Sequence, residues 1–397
     1  MLHHIWNKVV QALRFKIFEH RIHSQTWEHH DNILRSALDE ATAKNKSSLD
    51  ICVNPVVAKG FGLRRALLAE FHNKLKSETT FRIAIHVPPK HVSPGGYSLF
   101  TNLAESLAFI GIETRVLLWG DDLNKHLQDF YPTVFLTSDH HSYLSRIDWE
   151  AICHYRRKIS LRVGLTASLE EYGNSSLSKR LQWAERHRVD FYYSFRQPNY
   201  FRRKEYEPFF ENGYKILSVE FGANPFIYYP ASRPIKDVNY VFLASSNPDK
   251  QKRYEAWLGP IVRKYAGFID GPGWGRIQQT AGKDIHRFLY ARAKVGINLH
   301  IDNSINWSSE LNERTYILAA CGTPQLVDNP KLLPLRFSSE AMFVASSPKE
   351  YVKLFEYILD NPQEAGAKAL CALDEVYRRH TTLHRAEAFI NQLISIL

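Results

Sequence analysis

The stretch Val295–Asp328, VGINLHIDNSINWSSELNERTYILAACGTPQLVD, changes hydrophobic period twice within one short span. The apolar run Val295–His300 reads as a buried strand, and a polar loop follows it. Ser309 is a plausible helix N-cap, and the helix it opens stops at Gly322. Thr323-Pro324 then leads into a second buried strand, Gln325–Val327. Strand, helix and strand joined this closely predict a parallel sheet with helices on its faces.

The same alternation extends in both directions. Toward the N-terminus, Asn239–Ala244 and Ala266–Ile269 read as strands, with helices at Lys252–Tyr265 and Ile285–Ala293. The Pro-rich segment Asn224–Pro234 reads as a linker. Before it a second series runs through Phe81–Val87, Thr114–Leu118, Thr133–Thr137, Ile159–Gly164, Asp190–Ser194 and Lys215–Val219. Helical segments separate most of these strands, and helices follow Val327 to the C-terminus. The fold class is therefore α/β, with two doubly wound domains in tandem. The expected segments are a helical region at 1–50, a first domain at 51–230, a second at 231–380 and a terminal helix at 381–397.

Composition narrows the class. The chain has 397 residues, 44% apolar, which is ample for two cores. Its longest run without Asp, Glu, Lys or Arg is 14 residues, His91–Ala104, too short to span a bilayer. Lys8, Arg14 and Lys16 interrupt the N-terminus before a secretory signal could form. Cys52, Cys153, Cys321 and Cys371 are far apart, which argues for a reducing compartment and against a zinc site or disulfide framework. The expected location is cytoplasmic. An apolar stripe of Ile5, Val9, Leu13 and Ile17 predicts a helix docked on the first domain, with transient contact at the inner face of a membrane as the lesser reading. The net charge is +10, and residues 156–215 hold 13 Lys/Arg against 7 Asp/Glu. That excess fits an anionic small molecule, an anionic surface or a solvated basic face. No zinc-finger, RRM-like or basic-zipper pattern accompanies it, so no nucleic-acid partner is expected.

In open parallel sheets, ligands bind beyond the carboxyl ends of the strands. Pro94-Gly95-Gly96 follows the first strong strand and opens a helix, so Gly95 and Gly96 are candidates for close backbone approach to an acceptor or a phosphate. The chain has no GxGxxG and no GxxxxGK[ST] to claim a dinucleotide fingerprint or a P-loop. The third strand ends in Ser138-Asp139-His140-His141, where His140 or His141 could act as base or bind a sugar hydroxyl, oriented by Asp139. A metal there would need a third ligand that the sequence does not identify. In the opening stretch, Glu310, Glu313, Arg314 and Ile317 share a helix face, and Glu310 with Arg314 could equally form a solvated i,i+4 ion pair.

Leu311–Gly322, read as Leu-Asn-Glu-Arg-Thr…Ala-Ala-Cys-Gly, resembles the donor-binding segment of GT-B glycosyltransferases, closest to the spore-maturation CgeB-like branch. Asn239–Arg253, Gly271–Trp274 and the Gly95-Gly96 loop are similar to other parts of that pattern. The resemblance implies two Rossmann-like domains facing across a cleft, a nucleotide-sugar held mainly by the second, and no obligate metal. Lys252, Arg253 and Arg314 match its diphosphate-facing positions, with Lys250 a neighbour. The family's earlier helix carboxylate would fall at Ser309, one residue before Glu310, so Glu310 and Glu313 are the nearby candidates for donor contacts. Ile317 stands where many such enzymes carry a ribose-binding glutamate. The expected activity is metal-independent transfer of a sugar from a nucleotide-diphosphate sugar to a glycan, lipid-linked or protein acceptor. A non-catalytic nucleotide- or sugar-binding protein and a nucleotide-sugar epimerase are the alternatives on the same fold.

Overall fold

The computed structural model describes residues 27–42, 54–168, 176–232, 234–246, 248–274, 282–301 and 311–397, with isolated positions 10, 13 and 16. Two helices, Trp27–Thr42 (α1) and Pro55–Phe71 (α2), precede the first sheet. That sheet takes Arg82–Val87 (β1), Glu113–Leu118 (β2), Val134–Ser138 (β3), Arg162–Thr166 (β4), Phe191–Ser194 (β5) and Ile216–Ser218 (β6). Between these strands run Pro94–Phe109 (α3), Leu123–Phe130 (α4), His141–Leu144 (α5), Trp149–Lys158 (α6), Leu177–Arg186 (α7) and Glu207–Glu211 (α8). The second sheet takes Val238–Leu243 (β7), Phe268–Asp270 (β8), Ala293–Asn298 (β9), Gln325–Asp328 (β10) and Phe343–Ala345 (β11). Its helices are Pro248–Lys264 (α9), Lys283–Arg292 (α10), Glu313–Ala320 (α11), Pro348–Asp360 (α12) and Pro362–Arg379 (α13), and Thr382–Ile394 (α14) closes the chain.

Both sheets are parallel, in the orders β2-β1-β3-β4-β5-β6 and β11-β10-β9-β7-β8. The central strands read as nearly continuous apolar runs because helices cover both faces. All five residues of β3 are buried, whereas the edge strand β2 is mostly exposed or half-buried. The strand expected at Ile159–Gly164 begins later, at Arg162. The helix expected near Ser309 begins at Glu313, because the Asn312 side chain accepts the Thr315 N–H at 3.0 Å and caps it there.

The contacts divide the chain at other places than the expected segment boundaries. One unit is Leu67–Asn224 with Thr381–Leu397, and the other joins Pro225–His380 to the described residues before Leu67. Helix α14 returns to the first sheet because it covers that sheet's open edge. Gln392 accepts the Ser218 N–H at 2.9 Å and donates to the Ser218 carbonyl at 3.0 Å, pairing backbone groups that β6 would otherwise leave exposed. Leu383, Ala386, Phe389, Ile390 and Leu393 bury the apolar face of this helix. Within the unit that holds the second sheet, helix α1 packs on α10, where Arg292 donates to Ser36 Oγ at 2.6 Å. Of the N-terminal stripe only Leu13 is described, and it is exposed; Ile5, Val9 and Ile17 lie outside the described residues.

Several basic residues of the 156–215 stretch have carboxylate partners. Arg156 and Arg162 share Asp190 at 2.6 and 3.1 Å, Arg180 pairs with Asp139, and Arg203 pairs with Glu205. Cys153, Cys321 and Cys371 are free thiols, and Cys52 lies outside the described residues. Among the described residues no helix is long and apolar enough to cross a membrane.

Candidate active site

In the second sheet's unit, two loops leave the carboxyl ends of β7 and β8 as one hydrogen-bonded layer. Ser246 N–H donates to Pro272 O at 2.8 Å, and Trp274 Nε1 donates to Ala244 O at 2.7 Å. Gly271 and Gly273 have φ of 139° and 86°, and a Cβ on either would lie 2.1 or 2.0 Å from the carbonyl oxygen of Ala244 or Ser246. Only glycine allows this approach. Ser246 Oγ is buried in this layer without a hydrogen-bond partner among the described residues.

Arg314 reaches the same edge from the first turn of α11. Its Nε donates to Leu243 O at 2.9 Å, and its Nη1 lies 3.5 Å from Leu299 O. The guanidinium sits 4.8 Å from the centre of the Phe242 ring. It is thus fixed by backbone carbonyls at the ends of β7 and β9. Glu310, the other half of the expected surface pair, lies outside the described residues. Glu313 is half-buried in the same turn, and Ile317 is buried in the core, 6% exposed.

Arg253, expected at the diphosphate, has a carboxylate partner within its own unit. Its Nη2 donates to Asp328 Oδ2 at 2.7 Å, and its guanidinium lies 4.6 Å from the centre of the Trp257 ring. Asp328 is fully buried and also binds His300, through Nδ1 at 2.6 Å and through the backbone N–H at 2.7 Å. Burial alone would push the Asp328 carboxyl up; His300 and Arg253 outweigh it and hold the group below the usual carboxylate value. A second cluster continues this one. Asn298 Nδ2 donates to Thr315 Oγ1 at 2.9 Å, and Asn312 Nδ2 donates to Asn298 Oδ1 at 2.8 Å. With the Arg253 charge met by Asp328, the remaining cations at the start of α9 are Lys250, whose Nζ lies 3.0 Å from Ser245 Oγ, and the exposed Lys252.

The first sheet's unit carries the other expected residues. Asp139 is fully buried, and its carboxylate binds Arg180, Ser168 N–H at 3.2 Å and Thr166 Oγ1 at 3.2 Å. It therefore orients neither histidine. Burial pushes its carboxyl up, with Arg180 and the Ser168 and Thr166 donors pulling against it. His140 caps α5: its Nδ1 accepts the Ser142 N–H at 3.2 Å. The proton of the neutral ring then sits on Nε2, which makes His140 a hydrogen-bond donor rather than a ready base. His141 is exposed in the single turn of α5.

Gly95 and Gly96 open α3, where Ser93 Oγ accepts the Gly96 N–H at 3.3 Å. A Cβ on Gly96 would lie 2.6 Å from the Tyr143 hydroxyl, whereas one on Gly95 meets nothing within 4 Å. Burial pushes the Tyr143 phenol up to about 12 and the neighbouring His86 imidazole down to about 4.

A pocket of about 230 Å³ opens beyond β3, β4 and β5. Ser138, Thr166, Ser168 and Ser194 line it with hydroxyls, and Phe100, Phe195 and Tyr200 line it with rings.

Sequence reasoning missed His300, Asp328, Asn312 and Arg180. A signal for the first two was present: they end adjacent strands, and the register pairs Val327 with Asn298. Arg180 had no such signal, since only folding carries it from α7 to the end of β3.

Comparison with known proteins agrees with this architecture. Residues 252–391 match a family model described as glycosyl transferase-like. No curated protein matches the sequence. Among solved structures, the sucrose-phosphate synthase of Thermosynechococcus elongatus is similar at 13% identity, over 79% of this chain and 98% of that one, with a TM-score of 0.51. A glycosyltransferase from Rickettsia africae ESF-5 is similar at 11% identity, over 80% and 98%, with a TM-score of 0.52. An alpha-glucosyltransferase in complex with UDP-glucose and DNA containing an abasic site is similar at 10% identity, over 80% and 99%, also with a TM-score of 0.52. At these identities the likeness is one of fold, and that fold is GT-B. The family match adds that the C-terminal part of the chain is glycosyl transferase-like in sequence.

Proposed function

We propose that the protein transfers a sugar from a nucleotide-diphosphate sugar to a hydroxyl of a glycan, lipid-linked or protein acceptor, with no metal needed in the step. The observation that supports this reading is Arg314, anchored by Leu243 O and Leu299 O at the carboxyl ends of β7 and β9. Without a metal, the charge that develops on the departing diphosphate must be met by fixed cations and backbone N–H groups. Arg314, Lys250 and Lys252 supply the cations, and the first turn of α11 supplies N–H groups and the positive end of its dipole. The buried Ser246 hydroxyl offers one further hydrogen bond beside the same strands. His140, with its proton on Nε2, serves as a donor to a sugar hydroxyl.

Release of free nucleoside diphosphate from UDP-, GDP- and dTDP-sugars tests the proposal, measured with and without polar acceptors and with a chelator present throughout. Slow hydrolysis without acceptor, faster with one and unaffected by chelation, is the expected result. Absence of turnover with every donor would remove the assignment, and dependence on added metal would remove its metal-free part.

A further inference from the structure

The pocket beyond β3–β5 has a chemistry of its own. Its hydroxyl row is held from below by the Asp139–Arg180 ion pair, which is almost wholly inaccessible. Asp139 takes the Ser168 N–H, and Arg180 Nη1 donates to the Ser168 carbonyl at 2.7 Å, so the peptide groups on both sides of that residue are clamped. Thr166 Oγ1 donates to Asp139 and receives Ser138 Oγ at 2.8 Å. Ser194, at the end of β5, adds a further hydroxyl to the lining. Rings complete the lining: Phe100 and Phe195 meet edge to face at 5.7 Å, and Tyr200 meets Tyr206 at 5.5 Å. Among the described residues that line it, Arg196 is the one cation and there is no carboxylate.

We infer that this pocket is a saccharide subsite, which makes the acceptor of the proposed transfer a glycan that presents a neutral or acidic sugar ring. The assignment rests on the glycosyltransferase reading for its link to the reaction, but not for the binding itself. A sugar ring carries hydroxyls around its rim and C–H groups on its faces, which suits a lining that combines fixed hydroxyls with aromatic rings. An alkyl chain would desolvate these hydroxyls and return no hydrogen bond for the water it displaced. An amino sugar would bring its cation to a lining whose charged side chain, among the described residues, is Arg196.

Saturation-transfer NMR and calorimetry on the full chain test it, with methyl hexopyranosides, glucuronic acid, glucosamine, hexanol, a serine-containing peptide and uridine as probes. Methyl hexosides or glucuronic acid should bind, and Ser194→Leu, which fills the pocket, should weaken them by at least about ten-fold, or 1.4 kcal/mol. Thermal melting checks that this variant folds; if it does not, Arg196→Gln addresses the same lining and should lower affinity for glucuronic acid. The assignment fails if no saccharide binds, if hexanol, the peptide or uridine binds in its place, or if the folded variants bind saccharides as the wild type does. Donor hydrolysis by the wild type separates the two readings. Hydrolysis without saccharide binding sinks this inference alone, and saccharide binding without hydrolysis sinks the proposed transfer while leaving the subsite.

Discussion

Asp328 grips His300 twice, with Oδ1 on the ring Nδ1 at 2.6 Å and Oδ2 on the backbone N–H at 2.7 Å. The second oxygen also takes Arg253 Nη2 at 2.7 Å. One carboxylate thereby joins the ends of β9 and β10 to the first half of α9. It fixes the strand end from which the chain departs toward α11, the helix that carries Arg314.

Asp328→Asn should be costly, because it keeps the shape but leaves the Arg253 charge, 12% exposed, without its counter-charge. A loss of about 3 kcal/mol is expected by urea unfolding at neutral pH. The sign of the pH dependence follows from the lowered carboxyl value of Asp328. Its stabilisation is complete above the ordinary carboxylate range and is lost as pH falls through the lower folded value. The Asn variant should therefore lose less stability than wild type on acidification. Parallel acid profiles would show that the carboxylate is not what holds this region.

Arg314→Ala should weaken nucleoside diphosphate binding by about 10- to 150-fold, the worth of a charge-assisted hydrogen bond. The free nucleoside should bind nearly as before. Arg314→Lys should restore only part, since an ammonium cannot satisfy the Leu243 carbonyl and a phosphate with the guanidinium's geometry. Calorimetry on the three proteins with both ligands decides it, and equal affinities would take Arg314 out of the donor site.

His86 should make the protein acid-sensitive. Burial lowers its imidazole from 6.5 to about 4, so between those values the unfolded chain binds the proton and the folded one does not. Stability from the neutral ring is fully present above pH 6.5 and is lost as pH falls toward 4, by about 3 kcal/mol in all. His86→Asn should flatten this window in chemical denaturation curves taken at pH 7, 6 and 5. An unchanged slope would contradict the assignment.

Gly96→Ala should destabilise by about 1–3 kcal/mol, because the new methyl meets the Tyr143 hydroxyl at 2.6 Å. Tyr143→Phe removes that oxygen and should recover part of the loss in the double variant. Gly95→Ala, with open space around it, should be neutral or slightly stabilising within the helix. Thermal melts of the four proteins give the coupling directly, and additive effects would show that the two residues do not meet.

The sequence by itself determined the local elements. Unbroken apolar runs such as Val134–Leu136 fix buried strands, and their alternation with helices fixes two parallel sheets, because a strand covered on both faces has nowhere to place polar side chains. Gly271 and Gly273 could also be flagged from sequence as the loop after a strand, and Arg314 as the cation of a helix start. Partners distant along the chain were not legible. Asp139 stands beside two histidines in sequence but is bound to Arg180 in space, and Arg253 stands beside the exposed Lys252 but is turned onto Asp328. Likewise α14 follows α13 in sequence yet closes the edge of β6. A buried charge or an unpaired sheet edge costs more than any local preference and takes whichever partner the packing brings within reach, so these choices were made only by the tertiary structure.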